Sequence, residues 1–91
     1  MRFYEECVRV ANQVNCLFTQ QQRALFIGAD LIALYQYQSL VGTWIQRHIL
    51  LHNSYLRYAL SALGYTEPED MSLFLLEFTQ QYLKLKDAEL L

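Results

Sequence analysis

Proline, glycine and cysteine are all scarce in this sequence, with one proline, three glycines and two cysteines in 91 residues. So few turn-forming residues do not suit the many tight turns of an all-β fold, and no segment shows sustained β alternation. A chain of this length forms a single small core. The sequence therefore predicts an all-α fold, in one helical domain that covers residues 1–91.

The two cysteines do not form a recognisable motif. Cys7 and Cys16 stand nine residues apart, which places them on opposite faces of one helix, so they cannot bridge each other. They also lack CxxC spacing. We interpret both as small buried hydrophobic side chains in a reducing compartment, with intermolecular pairing or a redox role as the alternative.

Positive charge and long apolar runs are also limited. The formal net charge is −2 and the seven basic residues are scattered, which argues against binding to nucleic acid. The longest apolar run, 24–34, is interrupted by Asp30 and is shorter than the ~20 residues needed to cross a bilayer. Glu5 and Glu6 stand where a signal peptide would have its apolar stretch, so we expect a cytoplasmic location.

Apolar and aromatic residues, in contrast, are abundant. They make up 54% and 14% of the chain, with seven Tyr, five Phe and one Trp. An average soluble domain is about 45–50% apolar, even when Gly is counted. Tyr and Trp favour interfaces that are dry on one side and wet on the other. The surplus indicates a surface that binds another protein.

The spacing of apolar residues predicts five helices joined by short loops, which favour antiparallel neighbours. The first helix covers about 2–18. The second covers about 19–35 and begins with a capping box, in which Thr19 and Gln22 each satisfy a free amide of the same turn. A turn follows, and the third helix covers about 40–51.

Clear end signals mark the last two helices. Asn53 is a good N-cap for the fourth helix, and Gly64 can end it by adopting a positive φ. Thr66 and Glu69 have the spacing of a second capping box. Pro68 suits the first turn of the fifth helix, where its missing N–H costs nothing.

A faint repeat appears when the sequence is offset by 34 residues, which pairs Gly28 with Ala62 and Trp44 with Phe78. This is the period of the tetratricopeptide repeat, in which a small residue marks the contact between two paired helices. Two unrelated amphipathic hairpins of similar length would also give such matches. If the helices do pair as TPR-like hairpins, the first helix of each pair lines a concave face. The predicted partner-binding groove then consists of Leu25, Ala29, Ile32, Leu56, Ala59 and Leu63.

Two segments carry a family resemblance. Residues 35–41 have the form of a tight turn that leads into a second repeat helix, and residues 55–65 have the form of the next helix with a Leu-Gly ending. Together, residues 27–65 resemble the small cytosolic chaperones of type III secretion needle subunits. That family uses helical repeats, whose concave face clasps the amphipathic C-terminal helix of the needle protein alongside a smaller co-chaperone. The resemblance implies a chaperone with those two partners. Leu40 and Phe74 depart from the small residues of the repeat pattern.

No group of residues forms a convincing catalytic or metal-binding motif. His48 and His52 have i, i+4 spacing, but no Cys, Asp or Glu stands near them in sequence, so we interpret them as imidazoles at a helix end. The remaining acidic clusters are better explained as charges that favour helix N-termini: Glu5, Glu6, Glu67, Glu69 and Asp70. We expect no enzymatic activity, no cofactor and no metal.

Several residues keep two interpretations. Asp30 is expected on the solvent side of its helix, although burial with a partner is possible. Trp44 is expected as a core residue and not as a binding hot spot. Packing at a wet edge and contact with a partner remain equally open for five tyrosines: Tyr35, Tyr37, Tyr55, Tyr58 and Tyr65. For the whole chain, the main alternative to a chaperone is an obligate homodimer with a structural or regulatory role.

Overall fold

The structure is a computed structural model that describes residues 2–90, so the predicted domain limits at residues 1 and 91 lie outside the described residues. Helices are the regular secondary structure throughout this range, and no strand occurs in it. The six helices are α1 (Arg2–Asn15), α2 (Gln20–Ile27), α3 (Leu31–Gln36), α4 (Val41–His48), α5 (Ser54–Ala62) and α6 (Pro68–Asp87). Two short 3₁₀ turns, Tyr37–Ser39 and Leu50–His52, flank α4. The all-α prediction is confirmed, with six helices in place of five.

Helix α6 is the central element. It packs most extensively against α1 and α4, and it also contacts α2 and α5. Its inner face buries Leu75, Leu76 and Leu83, together with the polar residues Thr79 and Gln80. All six helices contribute at least one buried apolar side chain to the same core.

Successive helices do not pack as repeat hairpins. Helix α6 contacts α1 and α4 far more than it contacts α5, the helix that precedes it. Gly28 and Ala62, predicted to lie where paired helices touch, are both exposed. A Cβ on Gly28 would meet only the carbonyl of Ala24, at an ordinary van der Waals distance. The 34-residue pattern therefore reflects similar apolar spacing in two parts of the chain and not the packing of tetratricopeptide repeats.

Two of the predicted N-terminal caps are present. The hydroxyl of Thr19 accepts a hydrogen bond from the amide of Gln22 at 3.1 Å, and the Gln22 side chain accepts one from the amide of Thr19 at 2.8 Å. The Asn53 side chain accepts from the amide of Leu56 at 3.0 Å. Each cap satisfies amides that a helix start leaves free, so the starts of α2 and α5 are encoded locally.

The predicted end of α5 is also confirmed. Gly64 has a φ of +102°, which a residue with a Cβ rarely adopts. The amide of Tyr65 donates to the carbonyl of Leu60 at 2.9 Å, and the amide of Gly64 donates to the carbonyl of Ser61 at 3.0 Å. This pair of bonds is the Schellman motif, which stops the helix at this point.

Helix α6 starts differently from the prediction. Pro68 lies in the first turn, as expected, but the N-cap is Glu67, which makes no side-chain capping bond. The capping box predicted for Thr66 and Glu69 is therefore wrong, because the helix begins one residue too late for Thr66 to act as its cap. Proline at the first helical position starts the helix without that box, since its φ is already helical and it has no N–H to satisfy.

The other boundaries differ at C-terminal ends. Helix α1 ends at Asn15 and α4 ends at His48, three residues before the predicted ends at 18 and 51. In both places the chain continues in turns or 3₁₀ geometry, which keeps the apolar spacing for a few more residues.

The largest departure from the predicted helices is a break in the second one. The chain leaves helical geometry after Ile27, and α3 starts after Asp30, whose Oδ1 accepts a hydrogen bond from the amide of Ala33 at 2.8 Å. Asp30 is thus an exposed N-cap and does not lie on the outer face of a continuous helix. The prediction treated 19–35 as continuous because an internal Asp was assigned to a solvent face and not to a helix start.

A side chain of α6 holds this break in place. The Nε2 of Gln80 donates to the carbonyl of Ala29 at 2.7 Å and to the carbonyl of Phe26 at 3.2 Å. The carbonyl of Phe26 also accepts from the amide of Ala29, at 3.3 Å, whereas the carbonyl of Ala29 lies beyond the end of α2 and is satisfied by the amide of a distant helix. The path of the chain between α2 and α3 is consequently set by α6.

Candidate functional site

The structure does not bring together the six residues predicted to form a concave groove: Leu25, Ala29, Ile32, Leu56, Ala59 and Leu63. Leu56 is fully buried in the core, where no partner can reach it. Leu25, Ile32 and Leu63 are exposed, and the two alanines are half-buried. Leu25 and Ala29 line the same depression, and none of the other four lines it.

A different surface has the character of a binding site. Two depressions of about 380 and 360 Å³ lie side by side and share Leu25, Tyr37 and Leu40. The first is completed by Leu17, Phe18, Gln22, Val41 and Trp44, and the second by Ala29, Ala33 and Gln36. We call this continuous surface between α2, α3 and the start of α4 the apolar groove.

Two aromatic rings, Phe18 and Tyr37, form the floor of the apolar groove and pack on a third, Phe26, in the core. Phe26 is fully buried, and its ring centroid lies 5.0 Å from that of Phe18 and 5.1 Å from that of Tyr37. The Tyr37 ring stands edge-on to both phenylalanines, an arrangement favoured by the ring quadrupoles. Because this cluster joins the groove to the core, the floor is fixed before any partner arrives.

The walls of the apolar groove are formed by leucines that are not buried in the core. Leu25 and Leu40 line the groove and are nevertheless 64% and 76% exposed. None of the groove-lining side chains is charged, and the polar ones are the amides of Gln22 and Gln36 and the hydroxyl of Tyr37. A contiguous apolar surface bordered by neutral polar groups is typical of a protein-binding site.

An ion pair fastens α2 to the end of α6. Both terminal nitrogens of Arg23 donate to the carboxylate of Asp87 at 2.8 Å, and the Nε of Arg23 donates to the side chain of Asn15 at 2.7 Å. The hydrogen bonds from Arg23 hold the pKa of Asp87 below its ordinary value. A single guanidinium therefore connects α1, α2 and α6.

Trp44 was predicted to be a core residue and not a binding hot spot, and it does contact the core. It is half-buried, packs against the core and also lines the apolar groove. Its ring stacks on His48, with centroids 5.2 Å apart. His48 and His52 are both exposed, and residues 2–90 contain no group of three or more His, Cys, Asp or Glu side chains placed to hold a metal ion.

The two cysteines have different environments. Cys7 is fully buried, as predicted, and burial together with the neighbouring Glu6 raises the pKa of its thiol to about 11. Cys16 is exposed, so its assignment as a buried residue is wrong. The reason is the early end of α1, because Cys16 lies in the turn that follows and not on the inner face of the helix.

The five tyrosines do not form one surface. Tyr37 belongs to the floor of the apolar groove, and Tyr35 is exposed on α3. Tyr55 lies under the guanidinium of Arg2, 4.0 Å from its ring centroid. Tyr65 packs against Phe74, and Tyr58 is 77% exposed on α5.

Sequence reasoning found Leu25 and Ala29 but missed most of the groove, including Leu17, Phe18 and Leu40. Leu40 was singled out only because it departs from the small residue of a repeat pattern. The usable signal was Gly28-Ala29-Asp30, since a flexible residue followed by a good N-cap predicts a helix break. A break at that point turns the face of α3 relative to α2 and opens the groove beside it.

Comparison of the chain with protein-family models, with curated proteins and with solved structures found no match. Among the described residues, no helix has the combination of length and apolar content that a membrane crossing requires.

Proposed function

We propose that this chain is a binding protein that holds an amphipathic helix of a partner protein in the apolar groove. The observation that carries the proposal is the combination of a fixed aromatic floor with exposed leucine walls. Leu25 and Leu40 expose most of their apolar surface to water, which costs free energy unless a partner covers it. Nothing in this activity requires a catalytic group.

A helix is the occupant that suits this surface best. The walls are themselves helices, α2 and α3 on one side and the start of α4 on the other. An amphipathic helix enters such a groove with apolar residues at i, i+3, i+4 and i+7, and its polar face stays in water. The absence of charge in the lining favours a partner face made of aliphatic and aromatic side chains.

The finer proposal is that the held helix belongs to a self-assembling needle subunit of type III secretion, with a small co-chaperone in the complex and a cytoplasmic location. Its support is the resemblance of residues 27–65 to that chaperone family. This segment contributes Ala29, Tyr37, Leu40 and Trp44 to the apolar groove, so the resemblance and the groove overlap in sequence.

The mechanism under this proposal is burial. A standard protein interface covers about 1,600 Å² in total, and a subunit stays monomeric when the groove outcompetes other copies of the subunit for the same apolar face. The affinity need only exceed that of subunit self-association at the concentration present in the cell.

Groove variants test the proposal with a matched control. Leu25→Asp and Leu40→Asp place a charge in the groove, and Tyr58→Asp places one at an equally exposed apolar position on α5, outside the groove. Each tagged chain is purified from the organism that encodes it, and the bound protein is identified by mass spectrometry. We expect the wild type and Tyr58→Asp to retain one helical partner in fixed stoichiometry and the two groove variants to lose it.

The single tryptophan offers a direct readout. Trp44 lines the groove, so a synthetic peptide with the sequence of the partner's amphipathic helix should shift its fluorescence to shorter wavelength as water is excluded. Retention of the partner by both Leu25→Asp and Leu40→Asp, with circular dichroism unchanged, would show that the groove is not the binding site.

A further inference from the structure

A further depression lies between the end of α4, α5 and the start of α6, and it shares no lining residue with the apolar groove. Its volume is about 460 Å³. The buried side chains of Leu50 and Met71 give it apolar surface, and so do the more exposed Leu51 and Pro68. Sites for small organic ligands have volumes of about 300–1,000 Å³ and combine apolar lining with a few polar groups. The depression is large enough for such a ligand.

Two arginines distinguish this depression from the uncharged groove. Arg47 lies in the last turn of α4 and Arg57 lies in α5, and both line the depression. None of the described residues that line it is acidic, and neither guanidinium forms an ion pair within residues 2–90. They are two of the seven basic residues in a chain whose formal net charge is −2. We call this site the arginine depression, because two positive charges meet there without a carboxylate of the chain to neutralise them.

The backbone holds the guanidinium of Arg57 in place. Its Nη1 donates to the carbonyl of Leu50 and, at 3.0 Å, to the carbonyl of Leu51, both in the 3₁₀ turn after α4. Both bonds use the same terminal nitrogen. The Nε and the other terminal nitrogen form a different side of the guanidinium, which can bind a carboxylate through two parallel hydrogen bonds. Arg57 is therefore positioned before an anion arrives.

Thr66 adds a hydroxyl to the arginine depression. Because α6 begins at Pro68 with Glu67 as its N-cap, this hydroxyl does not cap the helix and can donate a hydrogen bond to an anion. The positive end of the 20-residue helix α6 borders the same site. The acidic residues of its first turn do not line the depression, and Asp70 lines a different one.

We propose that the arginine depression binds a small aliphatic carboxylate. Its carboxyl group contacts Arg47 and the free side of Arg57, and its hydrocarbon chain covers Leu50 and Met71. Both halves of the ligand are needed. A free inorganic anion would leave the apolar lining in water, and an uncharged hydrocarbon would cover two guanidiniums without giving them a partner. This inference does not depend on the proposed function, since the two sites are separate.

Titration of the ¹⁵N-labelled full chain with octanoate, followed by two-dimensional NMR, tests the site. We expect saturable shifts of the amides of Leu51, Thr66 and Met71 and of the Nε–H of Arg57. Octan-1-ol and inorganic phosphate are matched control ligands, because each has only one half of the proposed chemistry. Both should bind at least about tenfold more weakly than octanoate. Absence of saturable octanoate binding, or equal affinity for either control ligand, overturns the proposal.

Two arginine variants test which groups hold the carboxylate. Arg47 makes no hydrogen bond or ion pair within residues 2–90, so Arg47→Gln should keep the fold and weaken octanoate binding by about tenfold. Arg57→Lys keeps the charge but loses the two-point contact, so it should also weaken binding. Lys84→Gln removes a positive charge from an exposed position outside the depression and should bind like the wild type. Wild-type affinity in both arginine variants overturns the proposal.

The outcomes separate this inference from the proposed function. Leu40→Asp should lose the partner helix and still bind octanoate like the wild type, because Leu40 does not line the arginine depression. Arg47→Gln should keep the partner and bind octanoate weakly. Octanoate shifts confined to Leu25 and Leu40 would place the hydrocarbon in the apolar groove and overturn the arginine depression as its site, without any bearing on capture of the partner.

Discussion

Helix α6 and the segment from α2 to the 3₁₀ turn at Tyr37–Ser39 use apolar residues in opposite ways. Helix α6 is 20 residues long and is contacted by α1, α2, α4 and α5, so its inner leucines are fully buried. Helices α2 and α3 have eight and six residues, and each buries a single side chain, Phe26 and Leu34. Both regions are rich in apolar residues, but only the first has enough neighbours to cover them.

The difference shows where the apolar surplus of this chain is placed. A long helix surrounded by others can bury a full face, whereas a short helix at the surface buries one or two side chains and leaves the rest in water. Apart from Phe26 and Leu34, the apolar residues of α2 and α3 therefore contribute little to the core, and they form part of the apolar groove and the exposed face of α3. The core and the surface proposed to bind a partner therefore lie in different parts of the molecule.

The largest expected effect is the difference in stability loss between a substitution in α6 and one in the groove wall. Leu75→Ala in α6 should lower the free energy of unfolding by about 2–5 kcal/mol, because it leaves a cavity in the core. Leu25→Ala in the groove wall should change it by less than about 0.5 kcal/mol, as is usual for exposed positions. Urea unfolding followed by circular dichroism measures both. Similar losses for the two variants would contradict the division between core and groove.

The connection between the regions should give the next largest effect. Gln80→Leu removes the amide that satisfies the carbonyl of Ala29, and an unsatisfied buried polar group costs about 1–3 kcal/mol. Gln21→Leu in α2 is a matched control, because Gln21 is exposed and does not contact Gln80 through a hydrogen bond. Urea unfolding measures the stability, and a shift in the fluorescence of Trp44 would report a change in the groove. Equal effects of the two substitutions would show that Gln80 does not hold the break between α2 and α3.

The cap of α3 should have a smaller effect that is confined to the groove side. Asp30→Ala removes the bond to the amide of Ala33 and should cost about 1 kcal/mol, whereas Asp30→Asn should be close to the wild type. Hydrogen exchange of the α3 amides measures the local effect. If Asp30→Ala speeds amide exchange in α6 more than in α3, relative to the wild type, Asp30 does not act as a local cap.

The smallest expected effect concerns the ion pair between the regions. Because the hydrogen bonds from Arg23 hold the pKa of Asp87 below its ordinary value of 3.8, the pair contributes stability above that pH and loses it as the pH falls further. Asp87→Asn should therefore lower the melting temperature slightly near neutral pH, since exposed pairs contribute little. The difference from the wild type should shrink in acid. Thermal unfolding at several pH values measures it, and a difference that grows in acid would contradict this sign.

Local signals in the sequence predicted a good part of this structure. The Thr19 capping box, the Asn53 cap and the positive φ of Gly64 all depend on a few adjacent residues, and all three are present. The Thr66 box failed for an equally local reason, because Pro68 alone starts α6. The break before α3 could have been predicted from Asp30, which is a good N-cap. The prediction instead placed Asp30 on the solvent side of one continuous helix.

Contacts between distant residues were not predictable in the same way. The pairing of α6 with α1 and α4 replaced the expected hairpins, because amphipathic spacing tells which face of a helix is buried but not which helix covers it. Leu56 shows the consequence, since its helix face was predicted correctly as apolar but was assigned to a groove and not to the core.

By itself, the sequence determined that the chain is all-helical, where most helices begin, and that it carries more apolar surface than its core requires. Only the tertiary structure decided which apolar residues are buried and which remain exposed in the apolar groove and on α3. The physical reason is that capping and helix periodicity act over a few residues. Burial depends on which helices surround a side chain, and here that is settled by α6 at the centre of the molecule.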